Sequence, residues 1–277
     1  MTKLFALIVS AFLLAPVPAF AQAFVLYDDF SSGIIDPAKW YGSSVDGNFS
    51  GPMAEMSRRI EGGQLRLMMT NYGNTLSDSG TTTGRIDLRP KLTGVLGGPG
   101  FIVGMQANAT ILASRIQKCG ANTSTGGARA QMLGFFFNDG TSTGPDDRTG
   151  NIIGFINMQK NAPPLDNQVI TAGISRCLIA SCEQSTTLAS QTFDATWALN
   201  ETVTLRLVWK KANGKFTFVA KGETHDIFYP GGLIDNGPPI TSFNALRASN
   251  FVENCAVGYK KGVTDVVFDG FSVRRQP

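Results

Sequence analysis

The stretch from Phe24 to Tyr41, FVLYDDFSSGIIDPAKWY, begins as an apolar strand, passes through an acidic pair and a small polar turn, and ends with Asp-Pro and a tryptophan. A second stretch near the other end of the chain, Val263 to Arg274 (VTDVVFDGFSVR), also has the apolar pattern of a β-strand. Strands at both ends of a chain suggest a sheet in which the last strand lies beside the first. We therefore expect the fold to close by pairing its two terminal strands.

Residues 1–21 have the layout of a secretory signal peptide. One cation, Lys3, precedes an apolar run from Leu4 to Leu14, and the small-residue motif Ala-Phe-Ala ends the segment. The run is too short to span a bilayer, which takes about 20 residues. We expect cleavage after Ala21, a single domain over residues 22–277, and a mature protein that is secreted or periplasmic and not inserted in a membrane. An uncleaved N-terminal anchor is the alternative.

The composition is typical of a turn-rich β-protein with a well-buried core. The 277 residues include 31 glycines and 19 phenylalanines, and only 16% are charged. The formal net charge is +3, and removal of residues 1–21 takes away one cation and no acid. A balance this close to neutral argues against nucleic acid or an anionic membrane as a partner, because these require a basic patch or stripe.

Four cysteines follow the predicted cleavage site: Cys119, Cys177, Cys182 and Cys255. An even number in an exported protein favours two disulfides, and four cysteines allow three pairings. Cys177 and Cys182 can close the short loop CLIASC, so we favour that pair, which leaves Cys119 with Cys255. A zinc site or free thiols are the alternatives, but a zinc site of this kind needs two close pairs and only one is present.

Most of the chain after Gln64 alternates apolar and polar residues or forms short apolar runs between Gly- and Asn-rich turns. Asn213-Gly214 predicts a hairpin over Val203–Val219 with a type I′ turn, whose two central residues need positive φ. No apolar stripe at helical spacing extends beyond about two turns. The pattern predicts an all-β sandwich or barrel of antiparallel sheets. The predicted strands are Leu65–Met69, Arg85–Leu88, Phe101–Leu112, Arg129–Asn138, Asn151–Met158, Val169–Ser175, Thr202–Lys210, Lys215–Ala220, Ile240–Arg247, Cys255–Lys260 and Asp265–Val273.

Two stretches are too polar to be strands, Gly120–Gly127 (GANTSTGG) and Asp139–Gly150 (DGTSTGPDDRTG). We expect both to be loops at the edges of the sheets, because connecting segments run over the protein surface. The sequence leaves two roles open for them: they flank a ligand groove, or they have no functional role.

Three short motifs resemble the concanavalin A-like lectin/glucanase superfamily. They are YDDFSSGIIDPAKW near the N-terminus, the strand EGGQLRL at residues 61–67 and the closing strand FDGFSV at residues 268–273. Between these motifs the resemblance rests on the rhythm of the strands. It implies a jelly-roll sandwich of two curved antiparallel sheets, and many members of the superfamily bind or cut polysaccharides on the concave face.

The resemblance also implies a structural calcium site. In the laminarinase- and lichenase-type glucanases of this superfamily, calcium on the convex side is held by the residue before the first-strand Phe, a Gly carbonyl before a Q-L strand, and an Asp in the last strand. The matching positions here are Asp29, Gly63 and Asp269. Ca²⁺ takes six to eight oxygen ligands, which carboxylates, carbonyls and water supply. The alternative is that Asp28 and Asp29 keep an edge strand soluble and that Asp269 caps a bend.

The catalytic pattern of the glucanases is missing. Retaining glycosidases hold two carboxyl groups about 5 to 5.5 Å apart, and the glucanases place them on a strand with an E-x-D-x-x-E or E-x-D-x-E pattern. No such pattern occurs, and the strand Arg129–Asn138 (RAQMLGFFFN), which corresponds in position, contains no acid. Alternation would put Gln131, Leu133, Phe135 and Phe137 on one of its faces. The sequence therefore argues against glucanase-type hydrolysis, and no catalytic residue is assigned.

Alginate lyases also resemble this fold, and they use an Arg, a Gln-x-His strand and a Tyr-x-Lys-x-Gly-x-Tyr strand. Gly258–Gly262 (GYKKG) is similar to the last of these, but its Gly comes one residue early and Thr264 stands where the second Tyr would be. The only histidine, His225, has no Gln two residues before it. We interpret Tyr259 as a solvent-facing residue at a strand end and His225 as a surface turn residue, with an elimination site based on Tyr259 as the alternative.

These observations favour an exported, lectin-like domain that binds a glycan or polysaccharide without catalysis of its own. A polysaccharide lyase or glycoside hydrolase with unrecognised catalytic residues is one alternative. A structural or adhesive envelope protein whose sheets engage another protein is the other.

Overall fold

The fold is built almost entirely from β-strands. A computed structural model describes residues 23–41, 54–91 and 102–275, and the predicted signal peptide lies outside them. The described residues form fifteen strands, one three-residue 3-10 turn and no α-helix, so they include no helix long and apolar enough to cross a membrane. The strands are β1 Val25–Asp28, β2 Trp40–Tyr41, β3 Ala54–Glu61, β4 Gln64–Tyr72, β5 Thr81–Pro90, β6 Ile102–Ile116, β7 Gly127–Asn138, β8 Asn151–Asn161, β9 Gln168–Cys177, β10 Ser185–Thr192, β11 Thr202–Lys210, β12 Lys215–Ala220, β13 Glu223–Phe228, β14 Asn244–Glu253 and β15 Lys261–Arg275.

The strands form two antiparallel sheets that pack face to face. An eight-stranded sheet has the order β13-β12-β11-β6-β15-β4-β3, with β1 beside β15, and a seven-stranded sheet has the order β10-β9-β8-β7-β14-β5-β2. Several neighbours are far apart in the chain, such as β15 beside β4 and β14 beside β5. This arrangement is the jelly-roll sandwich of two curved antiparallel sheets that the sequence predicts.

The two terminal strands pair, which confirms the prediction from the first and last motifs. β1 is antiparallel to β15, with Asp28 opposite Phe271. The rings of Tyr27, Trp40 and Phe271 lie with their centroids 5.3 to 5.9 Å apart, and all three are buried. The Asp-Pro turn after β1 thus brings Trp40 back onto the last strand.

Alternation along the strands buries one face of each sheet against the other. In β4, Leu65, Leu67 and Met69 are fully buried, while the residues between them are half-buried. Burying an aliphatic side chain of this size stabilises a fold by about 1.5 to 3 kcal/mol. The core therefore lies between the sheets, and the outer face of each sheet is left for other roles.

The strand β7 departs from strict alternation near its end. A register shift between Phe135 and Phe137 marks a β-bulge, and both Phe136 and Phe137 lie in the core between the sheets. The predicted grouping of Phe137 with Phe135 on one face is therefore wrong, because the bulge adds a residue to the strand and moves Phe137 to the other side.

The predicted hairpin is formed by β11 and β12, with Lys210 opposite Lys215. Its turn is not the predicted type I′. Lys211–Asn213 form a 3-10 turn, and Gly214 follows in the left-handed conformation with φ 57°. A longer loop of this kind needs positive φ at one residue rather than two, which the glycine supplies at no steric cost.

One predicted strand is absent. Residues Cys255–Lys260 form a turn between β14 and β15, with a hydrogen bond of 3.1 Å from Gly258 N to Cys255 O. The predicted strand Ile240–Arg247 begins only at Asn244. β3, β10 and β13 escape prediction because their side chains are mostly half-buried or exposed, which removes the apolar alternation that marks a strand.

Both predicted disulfides are present, Cys119–Cys255 and Cys177–Cys182. The first joins residues 136 positions apart in the chain. Beside it, the buried carboxylate of Glu253 accepts hydrogen bonds from Lys118 Nζ at 2.8 Å and Cys119 N at 2.9 Å. This disulfide and the ion pair beside it tie the loop after β6 to the end of β14.

Candidate functional site

The outer face of the seven-stranded sheet carries a cleft of about 610 Å³. Its floor consists of residues on β5, β14, β7 and β8 that alternate with the core residues of those strands. β9, β10 and two loops form its wall. The cationic side chains of the lining are Arg85, Arg129, Arg148 and Arg247, and the large apolar ones are Leu133, Phe135, Ile153, Phe155, Phe243 and Phe251.

The register of the sheet arranges the polar residues of this face in two rows that run across the strands. The first row is Arg85, Ser249, Arg129 and Gln159. The second row is Asp87, Arg247, Gln131 and Asn157. Neighbouring strands lie about 4.8 Å apart, so residues two strands apart in a row are about 10 Å apart at their Cα atoms.

The other end of the cleft is apolar. Phe135 and Phe243 pack with ring centroids 5.1 Å apart, and Phe155 lies across the neighbouring strand over Gly173. A Cβ at Gly173 would come within 2.6 Å of the Phe155 ring, so only glycine leaves room for this ring position. The Cys177–Cys182 disulfide packs in the same cluster. Flat ring surfaces therefore lie beside the polar rows.

Two loops meet at the wall of the cleft. The loop Asp139–Gly150, predicted as a sheet-edge loop, contributes Arg148 to the lining, and Arg148 N donates to Ala180 O in the disulfide loop at 3.1 Å. Hydrogen bonds from Thr149 and Thr143 hold the pKa of Asp147 well below its usual range. This loop therefore flanks the cleft, whereas Gly120–Gly127 contributes none of the lining residues.

Arg129 lies at the centre of the polar end. Its Nε donates to Gln159 Oε1 at 2.6 Å, and its guanidinium carbon lies 4.4 Å from the ring centroid of Phe251. Burial lowers the pKa of Arg129 to about 10, so the group is still protonated at neutral pH. Across the described ranges, Arg129 forms no ion pair with a carboxylate.

The other two floor arginines differ in their partners. Arg247 donates to both oxygens of buried Asp87, with 2.9 Å between Arg247 Nη2 and Asp87 Oδ2. Burial, and then repulsion from Arg247, lowers the pKa of Arg85. The Nε of Arg85 is buried and has no hydrogen-bond partner within the described part of the chain. Asp87 thus forms an ion pair with Arg247, while Arg85 and Arg129 form none within the described residues.

The amides of the second row can bind hydroxyl groups. Asn157 Nδ2 donates to Thr171 Oγ1 at 3.3 Å, while its Oδ1 is buried without a partner among the described residues. Gln131 lies beside it on β7. Glu183 is the one carboxylate among the lining residues, so the described lining lacks the acid pair that a retaining glycosidase requires.

The three positions of the implied calcium site lie on the other sheet. Asp29 follows β1, Gly63 is in the turn between β3 and β4, and Asp269 is in β15. β15 pairs with β1 and with β4 beside these positions, so the topology brings them to one region. Asp29 is exposed, and Ser31 donates to its Oδ1 from N at 3.1 Å and from Oγ at 2.8 Å, which lowers its pKa. Its Oδ2 has no protein partner in the described ranges and remains able to act as a ligand, and the ion stays a prediction.

Neither Tyr259 nor His225 is among the residues that line the cleft. Tyr259 is 55% exposed in the turn before β15, rather than at a strand end. His225 is in the strand β13 rather than in a turn, with its ring 4.5 Å from that of Phe193 and its Nε2 beside Glu223. The neighbouring Asp226 pairs with Lys215 at 2.5 Å.

The floor arginines were outside the predicted site residues. One signal for them is present in the sequence: Arg85, Asp87 and Arg89 alternate along β5, which places them on one face of a strand. Arg129 and Gln131 alternate in the same way on β7. Nothing local in the sequence indicates that β14 lies between these two strands and joins their charged faces.

No protein-family model matches the chain, and no curated protein matches its sequence. Similar solved structures include laminarinase from Flavobacterium sp. UMI-01, at 14% identity over 92% of this chain and 100% of that one, with a TM-score of 0.49. They also include the GlcNAcα1-4Gal-releasing endo-β-galactosidase from Clostridium perfringens, at 13% identity and a TM-score of 0.45, over 94% of this chain and 66% of that one. The Emp46p carbohydrate recognition domain is 14% identical over 79% of this chain and 88% of that one, with a TM-score of 0.35.

The strand order and register define the chain as an all-β jelly-roll sandwich with a cationic cleft on the outer face of one sheet. The identities to the similar structures are low, so the chemistry of the cleft has to be argued from its own residues.

Proposed function

We propose that this protein is an exported, non-catalytic domain that binds a glycan or polysaccharide in the cleft of its seven-stranded sheet. The observation that carries the proposal is the side-by-side arrangement of flat apolar rings and rows of hydrogen-bonding side chains in one open cleft. A sugar ring has an apolar face and a rim of hydroxyl groups, and ligand sites generally combine an apolar lining with a few placed polar groups.

The non-catalytic part of the proposal is supported by the lining. A retaining glycosidase needs one ionised and one protonated carboxyl about 5 to 5.5 Å apart. The described lining offers Glu183 alone, on the disulfide loop, and it offers no His or Tyr to act as a general base.

The test of the proposed function is incubation with a panel of neutral and acidic polysaccharides, followed by assays for binding, for new reducing ends and for unsaturated products. Binding without products supports the proposal. Products would support the enzyme alternatives. If neither binding nor products are detected, a structural or adhesive role is favoured.

The apolar end of the cleft predicts the effect of removing a ring. Phe155→Ala should weaken glycan binding by about tenfold, because loss of a central aromatic contact commonly costs more than 1 kcal/mol and about 1.4 kcal/mol is a factor of ten. The measurement is isothermal titration with a glycan that binds the unmodified protein. The matched control is Phe228→Ala, since Phe228 is 61% exposed on β13 of the other sheet. Equal affinities for the two variants would contradict the placement of the site.

We also propose that calcium stabilises the fold at Asp29, Gly63 and Asp269. A ligand that binds only the folded state adds about 2.7 kcal/mol when its free concentration is 100 times its Kd, so added Ca²⁺ should raise the melting temperature and EDTA should reverse the rise. Asp29→Asn should abolish the response to Ca²⁺ while leaving the melting temperature in EDTA nearly unchanged. If neither Ca²⁺ nor EDTA changes the melting temperature, calcium does not stabilise the fold and this proposal is wrong.

A further inference from the structure

Two arginines on the floor of the cleft form no ion pair within the described part of the chain. Arg85 and Arg129 lie two strands apart on the same face, and Ser249 is opposite both of them on the strand between. Ser249 is the only residue between them in this row, and its side chain is short. This geometry forms a pocket with a small polar floor and a cation on each side.

The buried carboxylate on this face of the sheet already has a partner. Asp87 is fully buried and binds Arg247 through both oxygens, and Arg247 lies in the row beside the pocket. Glu183 is exposed on the disulfide loop, and its charge, like that of Asp87, acts against the lowering of the pKa of Arg85, but neither carboxylate forms an ion pair with Arg85. Within the described residues, Arg85 and Arg129 therefore form no ion pair with a carboxylate.

Both guanidinium groups are partly removed from water, and that of Arg129 is also held in place. Phe251 stacks beneath Arg129 and Gln159 holds its Nε, which leaves the two terminal nitrogens at the cleft. Burial lowers the pKa of both arginines, a sign that each charge has lost part of its hydration. A buried charge is costly unless it is paired, and an anion that enters the pocket removes that cost.

We propose that Arg85 and Arg129 together bind the carboxylate of an acidic sugar unit, so that the cleft takes a uronate-containing glycan. This inference rests on the proposed function and names its ligand class. A planar guanidinium matches a carboxylate through two parallel hydrogen bonds. The amides of Gln131 and Asn157 lie one row away, where they reach the hydroxyl groups of the same or the next sugar. A neutral glycan would leave both arginines unpaired.

The ligand test compares one polymer with its own neutral derivative. Polygalacturonate and its carboxyl-reduced form have the same linkage and differ in the carboxylate, so the acidic form should bind at least tenfold more tightly. Its affinity should also fall as the salt concentration rises, because salt screens charge attraction. Equal affinities for the two forms, or an affinity for the acidic form that does not change with salt concentration, would contradict the inference.

The residue test uses Arg129→Gln and Arg85→Gln against the control Arg206→Gln. Arg206 lies on β11 of the eight-stranded sheet and donates to Gln106 at 2.7 Å. Each floor variant should lose roughly ten- to a hundredfold in affinity for the acidic polymer, since hydrogen bonds to charged groups are the strong ones, and the control should lose less than about twofold. Arg129→Lys should retain part of the affinity. Melting temperatures check that the variants are folded.

The outcomes separate this inference from the proposed function. If the protein binds neutral glycans in a way that depends on Phe155 and not on Arg85 or Arg129, the cleft binds glycans and the acidic-sugar assignment is wrong. If no glycan of either kind binds, both the assignment and the proposed function are wrong. Loss of acidic-polymer binding in both floor variants, with unchanged melting temperatures and an intact control, supports the assignment.

Discussion

The variant Cys119→Ser/Cys255→Ser should have a free energy of unfolding about 5 kcal/mol lower than that of the unmodified protein. The disulfide closes a loop with a separation of 136 residues, and the chain-entropy relation gives about 5 kcal/mol for a loop of that length. The cost has a second source in the structure. Buried Glu253 and Lys118 form their ion pair at 2.8 Å next to the disulfide, so freeing this corner also exposes that pair to competition from water.

The measurement is denaturant unfolding under oxidising conditions, with Cys177→Ser/Cys182→Ser as the matched control. That disulfide spans a separation of 5 residues, for which the same relation gives only about 2 kcal/mol. A loss of about 5 kcal/mol corresponds to a fall of roughly 10 to 20 °C in melting temperature for a chain of this size. Equal losses for the two variants would contradict the account of the long loop.

Asp28→Ala should be the most damaging single substitution near the chain ends. The carboxylate of Asp28 is 3% exposed, and it accepts hydrogen bonds from Trp40 Nε1 at 2.5 Å and from Phe30 N at 3.0 Å. Lys39 Nζ lies 3.3 Å from Asp28 Oδ1 and forms an ion pair with it. Removing the carboxylate leaves two buried donors without a partner, and each such donor costs about 1 to 3 kcal/mol. We expect a loss of about 3 to 5 kcal/mol in the free energy of unfolding.

The neighbouring residue provides the control for this prediction. Asp29 carries the same carboxylate but is exposed, so Asp29→Ala in the presence of EDTA should cost less than about 1 kcal/mol. Urea unfolding of the two variants in EDTA gives the comparison directly. A similar small loss for both would mean that Asp28 does not hold the turn after β1 in place against the last strand.

The arrangement of the chain ends is predictable because it is encoded locally. The apolar strand, the acidic pair and the Asp-Pro-Ala-Lys-Trp turn occur in one stretch, and the closing strand alternates clearly, so each can be recognised alone. The disulfides follow from a similar local fact, since Cys177 and Cys182 are close enough in the chain to close a small loop and leave one other pairing.

The edge strands could not be predicted for the opposite reason. β3 and β10 are mostly half-buried or exposed along their length, so neither has the apolar period that buried strands require. The turn Cys255–Lys260 was mistaken for a strand because a short apolar-polar alternation also fits a loop held in place by a disulfide. In both cases the tertiary context, rather than local preference, decides the conformation.

The cleft could not be predicted from the sequence. Arg85 and Arg129 are distant in the chain, and they become neighbours only because β14 pairs with β5 on one side and with β7 on the other. That pairing depends on long-range register, which no local pattern specifies. The bulge at Phe135–Phe137 is a second long-range effect, because it determines which of these rings faces the cleft.

We propose above all that the cleft on the seven-stranded sheet binds a glycan and leaves it intact. The most direct test is titration of the purified protein with defined neutral and acidic oligosaccharides, followed by mass spectrometry of the recovered sugar from the same sample. The account predicts saturable binding of an oligosaccharide whose mass is unchanged after prolonged incubation, with binding weakened by Phe155→Ala. Shortened or unsaturated oligosaccharides, or binding that Phe155→Ala leaves untouched, would contradict it.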